Sequence, residues 1–180
     1  MIFTGLIIKH LYRIILLYKT KITAHQKFGV LFIVIFAKIF SMLSILDSEF
    51  SALNTFIQEK NPSQIFILVD ENTHQHCLPT LLGNLDTDVH FEIIEIESGE
   101  DAKNISTVVQ LWEILSDFEA DRKSLLLNLG GGVITDLGGF VASTYKRGIS
   151  FINIPTTLLA MCDASIGGKT GIDHQYLKNI

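Results

Sequence analysis

Apolar and polar positions along the chain fall into two regimes. From residue 47 onward, helix-like and strand-like stretches alternate. Asp47–Lys60 carries Phe50, Leu53, Phe56 and Ile57 at helical spacing. Asn61-Pro62-Ser63 breaks it. Ile65–Val69 is a continuous apolar run, the pattern of a parallel strand buried on both faces. His74–Leu82 reads as helix. Phe91–Ile96 alternates apolar and acidic positions as a strand does. Ile105, Val108, Val109, Trp112 and Leu115 form one helical stripe, with Glu100 and Asp101 near its positive N-terminus. Ser124–Leu129 is a second buried strand, Val133–Tyr145 a helix, Ile149–Ile154 a strand and Thr156–Cys162 a short helix. Strands alternating with helices at this spacing predict an α/β fold, a Rossmann-like parallel sheet with flanking helices.

Residues 1–46 follow another pattern. Val30–Ala37 is unbroken apolar sequence, and Phe28, Phe32, Phe36 and Phe40 recur every four residues, which predicts a helical stripe. The stretch from Gly29 to Leu46 approaches the ~20 residues of a membrane span, but Lys38 sits near its middle. Three readings stand: a membrane anchor over residues 28–46, a targeting peptide without a cleavage-site pattern, or translated upstream sequence with the native start near Met42.

Charge sharpens the division. All 19 acidic residues lie at or after Asp47, and six of the 14 Lys+Arg precede it, so residues 1–46 carry +6 and residues 47–180 carry −11. The expected organisation is therefore an extension over 1–46 and one domain over 47–180. An acidic main body argues against a nucleic-acid binder, because lysine and arginine neutralising phosphates supply that affinity. The two cysteines, Cys77 and Cys162, make neither a disulfide framework nor a metal-site spacing. They read as reduced thiols of a cytoplasmic protein.

Nine of the 13 glycines lie between Gly130 and Gly171. Glycine weakens regular elements, so this concentration needs a backbone reason, usually close approach of a ligand. Gly130-Gly131-Gly132-Val133-Ile134-Thr135-Asp136 ends a strand and opens a helix, the place where α/β sheets bind ligands and where helix N–H groups meet phosphate. The spacing is not G-x-G-x-x-G, since the third glycine would fall at Thr135.

Asp163-Ala164-Ser165-Ile166-Gly167-Gly168-Lys169-Thr170-Gly171 fails as a P-loop, because Asp163 stands where its first glycine belongs. What remains is a carboxylate and an ammonium six residues apart, either an internal ion pair or two groups around a polar substrate. Ser98-Gly99-Glu100-Asp101-Ala102-Lys103 and Pro155-Thr156-Thr157 fit helix capping as well as ligand contact. Asp70 and Asn72 fit a ribose contact or turn chemistry. His74 and His76 read as surface histidines, and Asn104-Ile105-Ser106 is a glycosylation sequon with nothing to place it in a secretory route.

Together the stretches GGGVITDLGGFVAST, YKRGISFINIPTTLLAMCDASIGGKTGI, SGEDAK and the LKN near the end closely resemble 3-dehydroquinate synthase, over roughly residues 47–180. The resemblance implies the N-terminal domain of an enzyme that converts the sugar phosphate DAHP into 3-dehydroquinate in the shikimate pathway, with NAD as a catalytic cofactor and a divalent metal (Zn or Co) as Lewis acid. It implies NAD contacts from Gly130, Gly131, Gly132, Val133, Asp136, Thr156, Thr157, Ser98, Gly99, Glu100 and Lys103, with Asp70 and Asn72 at the adenosine end. It implies substrate contacts from Arg147, Asp163, Lys169 and Asn179, catalytic roles for Asp163 and Lys169, and Lys169 and Lys178 facing cofactor or substrate phosphate.

The metal ligands of the family lie in a C-terminal helical domain, so none is expected in this chain, and the chain alone is expected to be inactive. A homodimer is a further expectation, and a membrane contact follows only if residues 28–46 are an anchor. Two alternatives are another sugar phosphate cyclase on the same scaffold and a non-catalytic, membrane-tethered NAD-binding fragment.

Overall fold

The computed structural model describes residues 33–36, 42–46, 49–165 and 168–180. The chain divides into two units, Met1–Val30 and Leu31–Ile180, and every described residue lies in the second.

Six strands form one sheet: β1 (Ile33–Phe36), β2 (Met42–Ile45), β3 (Ile65–Asp70), β4 (Phe91–Ile96), β5 (Leu125–Gly130) and β6 (Ser150–Pro155), in the order β2-β1-β6-β5-β3-β4. The four strands from β3 to β6 are parallel, with Ile65 opposite Phe91 and Leu125, and Leu125 opposite Ser150. β1 pairs antiparallel with β6 (Ile35 with Asn153, Phe36 with Ile152), and β2 antiparallel with β1.

Alternation along each buried strand distributes the core over two faces. Ile65, Ile67 and Val69 of β3, with Leu125, Leu127 and Leu129 of β5, pack against α1 (Ser51–Lys60) through Leu53 and Ile57, and against α3 (Leu78–Asn84) through Leu78 and Leu81. Phe66, Leu68, Leu126 and Phe151 face the other way. They meet Val108, Leu111 and Leu115 of α4 (Ile105–Asp117) and Ile134, Leu137 and Val141 of α5 (Gly132–Thr144). A short α2 (Glu71–His76) precedes α3. Its separation from α3 splits the single helix expected over His74–Leu82, and Pro79 at the start of α3 explains the break, since proline is at home in a first turn but not in a helix interior.

Two further stretches differ from expectation. Of the phenylalanines in the stripe, only Phe36 falls among the described residues, and it lies in a strand rather than a helix. The run Ile33-Val34-Ile35-Phe36 is β-branched and aromatic, which suits a pleated strand. Among the described residues no helix is long and apolar enough to cross a membrane. The short helix expected after β6 widens into a π-turn over Ala160–Ala164, where the Ser165 amide donates five residues back to the Ala160 carbonyl at 3.0 Å.

Candidate active site at the carboxyl ends of the strands

From β3 the chain adds β4 on one side and β5 on the other, so the direction of winding reverses between β3 and β5. Loops leaving the carboxyl ends of those two strands diverge, and the crevice between them is where open α/β sheets take ligands. Asp70 ends β3 and Gly130 ends β5, so both flank it. Ser98–Lys103 follow β4, and Thr156 and Thr157 follow β6.

The glycine turn is built from backbone. Gly131 caps α5 with no side-chain bond, and the Thr135 amide closes the first helical turn on the Gly131 carbonyl at 3.0 Å. The first-turn N–H groups of a helix have no acceptor within it, so they face outward. A Cβ at Gly132 would meet only the Ala164 methyl, at 3.8 Å, and one at Gly131 would touch the Thr157 methyl at 3.3 Å. Neither glycine has a positive φ. Little in the protein itself therefore requires glycine at 132, and the bare backbone there leaves room for a ligand group. The Thr156 amide donates to the Gly130 carbonyl at 3.0 Å and brings the two threonines beside the turn.

Three polar side chains, two of them charged, meet behind it. Lys103 is buried, and its Nζ donates to Asp136 Oδ2 at 2.8 Å and to Asn179 Oδ1. Burial pushes the Asp136 carboxyl above its ordinary range. The Lys103 hydrogen bond and charge pull it back, and the neighbouring charges of Asp163 and Glu100 push it up again. At the outer edge Lys178 Nζ lies 3.6 Å from Glu100 Oε1, and Lys169 Nζ lies 3.9 Å from Asp163 Oδ1, all four side chains being exposed. Pairs this open hold their partners weakly and can exchange them for a ligand.

Several of the remaining residues have structural work. Asp70 caps α2, its Oδ1 accepting from the Thr73 amide at 2.8 Å in a reciprocal capping box. Asn72 is exposed on α2. Gly99 has φ 111°, a conformation open to glycine and strained for other residues. Ser98 ties to the start of α2, its amide donating to Glu71 Oε2 at 2.9 Å. Val133 lies in the first turn of α5. The Asn104 side chain, read as part of a sequon, caps α4 by accepting from the Thr107 amide at 3.0 Å.

Arg147 stands apart. It follows the C-terminal end of α5, a helix of 13 residues and so about 20 Å long, at the opposite end of the sheet from Gly132. Lys146 and Arg147 both have positive φ (47° and 67°) and lead into Gly148. Residues the sequence did not single out include Thr135, whose buried hydroxyl donates back to the Gly131 carbonyl at 3.2 Å, and Asp173, whose Oδ1 accepts from the Asn179 amide at 2.9 Å. Thr135 stands inside the glycine motif, but Asp173 carries no spacing signal.

Among the described residues no group of three or more His, Cys, Asp or Glu side chains is placed to hold a metal ion. A separate open cleft of about 560 Å³ lies between α1 and the end of α3, and Asn54 cross-links its walls with Nδ2 to the Asn84 carbonyl at 2.9 Å and Oδ1 to the Asp86 amide at 3.0 Å.

Residues 93–180 match the family described as 3-dehydroquinate synthase N-terminal. A 3-dehydroquinate synthase of Parabacteroides distasonis is 46% identical over 129 residues, covering 72% of this chain and 36% of the relative. One of Pyrococcus abyssi is 47% identical over 132 residues, covering 73% and 39%. The chain thus spans little more than a third of the length of these relatives. Among solved structures, a 2-deoxy-scyllo-inosose synthase complexed with carbaglucose-6-phosphate, NAD+ and Co2+ superposes with a TM-score of 0.62 at 26% identity, over 72% of this chain and 36% of that one. The 2-epi-5-epi-valiolone synthase of Streptomyces hygroscopicus subsp. jinggangensis 5008, with NAD+ and Zn2+ bound, superposes with a TM-score of 0.57 at 34% identity, over 68% and 35%.

Proposed function

We propose that this chain, whose residues 93–180 match the family described as 3-dehydroquinate synthase N-terminal, is the NAD-holding part of a cytoplasmic 3-dehydroquinate synthase acting on the sugar phosphate DAHP in the shikimate pathway. The observation that carries the reading is the open backbone at Gly132, at the reversal of the sheet and close to Thr156 and Thr157. The free first-turn N–H groups of α5 and the missing side chains there suit a pyrophosphate.

Bound NAD supplies a hydride acceptor and donor for a substrate hydroxyl. The protein's part is placement. Gly130–Val133 seat the pyrophosphate, with Asp70 and Asn72 toward the adenosine, and Ser98–Glu100, Thr156 and Thr157 line the cofactor. Lys169, Lys178 and Asn179 meet a substrate that carries both carboxylate and phosphate, and Lys178 and Lys169 suit it as mobile point charges. Asp163 lies beside Lys169 in a pair open enough to part when substrate arrives. No step is assigned to a metal on this chain. In the reading, the family's Zn or Co would be held by the part of the protein that the relatives have beyond this match, and the chain alone carries no turnover. Arg147, a helix length away, cannot join this cluster within one chain; a homodimer would let it serve a second copy. The identity of 42–47% to 3-dehydroquinate synthases, against 26–34% to the two cyclases of known structure, favours DAHP over their substrates.

Calorimetric titration of the purified chain with NAD tests this. We expect saturable binding and no phosphate release from DAHP. Gly132→Ala is expected to weaken NAD about tenfold, a loss of ~1.4 kcal/mol, without lowering the melting temperature, because its Cβ meets only ordinary van der Waals contact. A chain that ignores NAD would overturn the reading.

A further inference from the structure

Lys103 is 4% exposed, yet its ammonium is not spent on a ligand-facing surface. An ammonium has three donors and no acceptor, and a buried one must find partners. Two come from different segments: Asp136 on α5, and Asn179 near the end of the chain. The main chain of Lys103 holds the same terminal segment, since its carbonyl accepts from the Asp173 amide at 2.8 Å and Asn104 bridges Asp173 in parallel pairing. The segment then closes on itself. Asp173 Oδ1 accepts from the Asn179 amide, and the Ile180 amide donates to the Ile172 carbonyl at 2.9 Å. Gly171 permits the closure, for a Cβ there would press on Asn179 Cα at 3.2 Å. Both ends of residues 171–180 therefore meet at one lysine.

We propose that Lys103 is a positioning residue, a clasp whose buried ammonium fixes Asp136 and Asn179 together and so couples the cofactor seat to the substrate-contacting segment. This rests on the reading that Asp136 belongs to the NAD site and Asn179 to the substrate site. It changes the role of Lys103 itself, from a direct cofactor contact to a residue acting through its two partners. Coupling is reciprocal. Whatever NAD does to Asp136 is transmitted through Nζ to Asn179, so NAD binding tightens the segment, and loosening the segment weakens NAD.

Hydrogen exchange on the whole 180-residue chain, with and without NAD as the only ligand, tests the clasp. In the wild type NAD is expected to slow exchange at Asp173, Asn179 and Ile180. Lys103→Met is expected to speed those amides about tenfold without ligand, the loss of one charge-assisted hydrogen bond. It should leave the amides of β3 and β5 unchanged and abolish the slowing by NAD. Lys103→Arg, which keeps the charge, is expected to restore part of the protection. Should Lys103→Met fail to fold, Asn179→Ala removes only the far end of the clasp and is read in the same way. Either variant retaining both slow exchange and the response to NAD, or speeding every amide alike, overturns the proposal. A wild type that binds no NAD overturns the cofactor reading instead, and exchange at Asn179 without ligand then decides the clasp by itself.

Discussion

At the scale of single residues the glycines separate by what stands opposite them. A Cβ at Gly132 would find open space bounded by Ala164, whereas one at Gly138, in the middle of α5, would fall 2.0 Å from Asn128 Oδ1 and 2.4 Å from its Cγ. Asn128 cannot retreat easily. It is fully buried, and its Nδ2 donates to Asn153 Oδ1 at 2.8 Å across two central strands. Gly138 thus lets α5 lie close on the sheet, and Gly132 leaves room outside it. Gly138→Ala is expected to destabilise the protein by about 1–3 kcal/mol, the ordinary cost of overpacking, even though alanine favours an isolated helix by ~1 kcal/mol. Urea denaturation beside the wild type checks this, and an equally stable variant would remove the packing argument. The sequence makes the cluster of glycines plain. It does not tell the two kinds apart, because the distinction depends on Asn128, which lies ten residues earlier and on another element.

At the scale of elements, the four parallel strands and the α1, α4 and α5 helices were legible within a few residues, since each carries its own period or its own apolar run. The β1–β2 hairpin was not. Its partner strand β6 lies more than a hundred residues further on, and a phenylalanine every fourth position imitates a helix face where Ile33-Val34-Ile35-Phe36 is extended. The site was legible in the same uneven way. Motif positions located Lys103, Asp136 and Asn179 separately, but only the fold shows one ammonium joining them. The hairpin also allows a test. β2 and β1 lie at one edge of the sheet, outside the four parallel strands. A chain trimmed to residues 47–180 is therefore expected to keep β3 to β6 folded while β6 becomes an edge strand. Amide exchange should rise along β6 and stay unchanged in β3 and β5. Cooperative unfolding of the trimmed chain would show instead that the hairpin supports the whole sheet.

At the scale of the molecule, polarity organises everything. The glycine turn, the Lys103 clasp and the Asp163–Lys169 loop lie at the carboxyl ends of the parallel strands, and Arg147 lies at the other end. Four exposed aliphatic side chains among the described residues 158–180 share the first location. Leu158 and Leu159 follow β6 with 73% and 71% exposure, and Leu177 and Ile180 flank the clasp with 61% and 53%. Scattered exposed leucines are ordinary, but adjacent ones beside a candidate site favour association. The net charge of −11 over residues 47–180 opposes it by mutual repulsion, more weakly as salt rises. The balance predicts self-association that grows with ionic strength. Leu158→Ser combined with Leu159→Ser is expected to reduce that association in sedimentation, and to reduce binding of an apolar dye, while shifting stability by no more than about 0.5 kcal/mol, as for other exposed positions. Association that persists undiminished in the double variant would place the contact elsewhere, and association that falls with added salt would make it electrostatic rather than apolar.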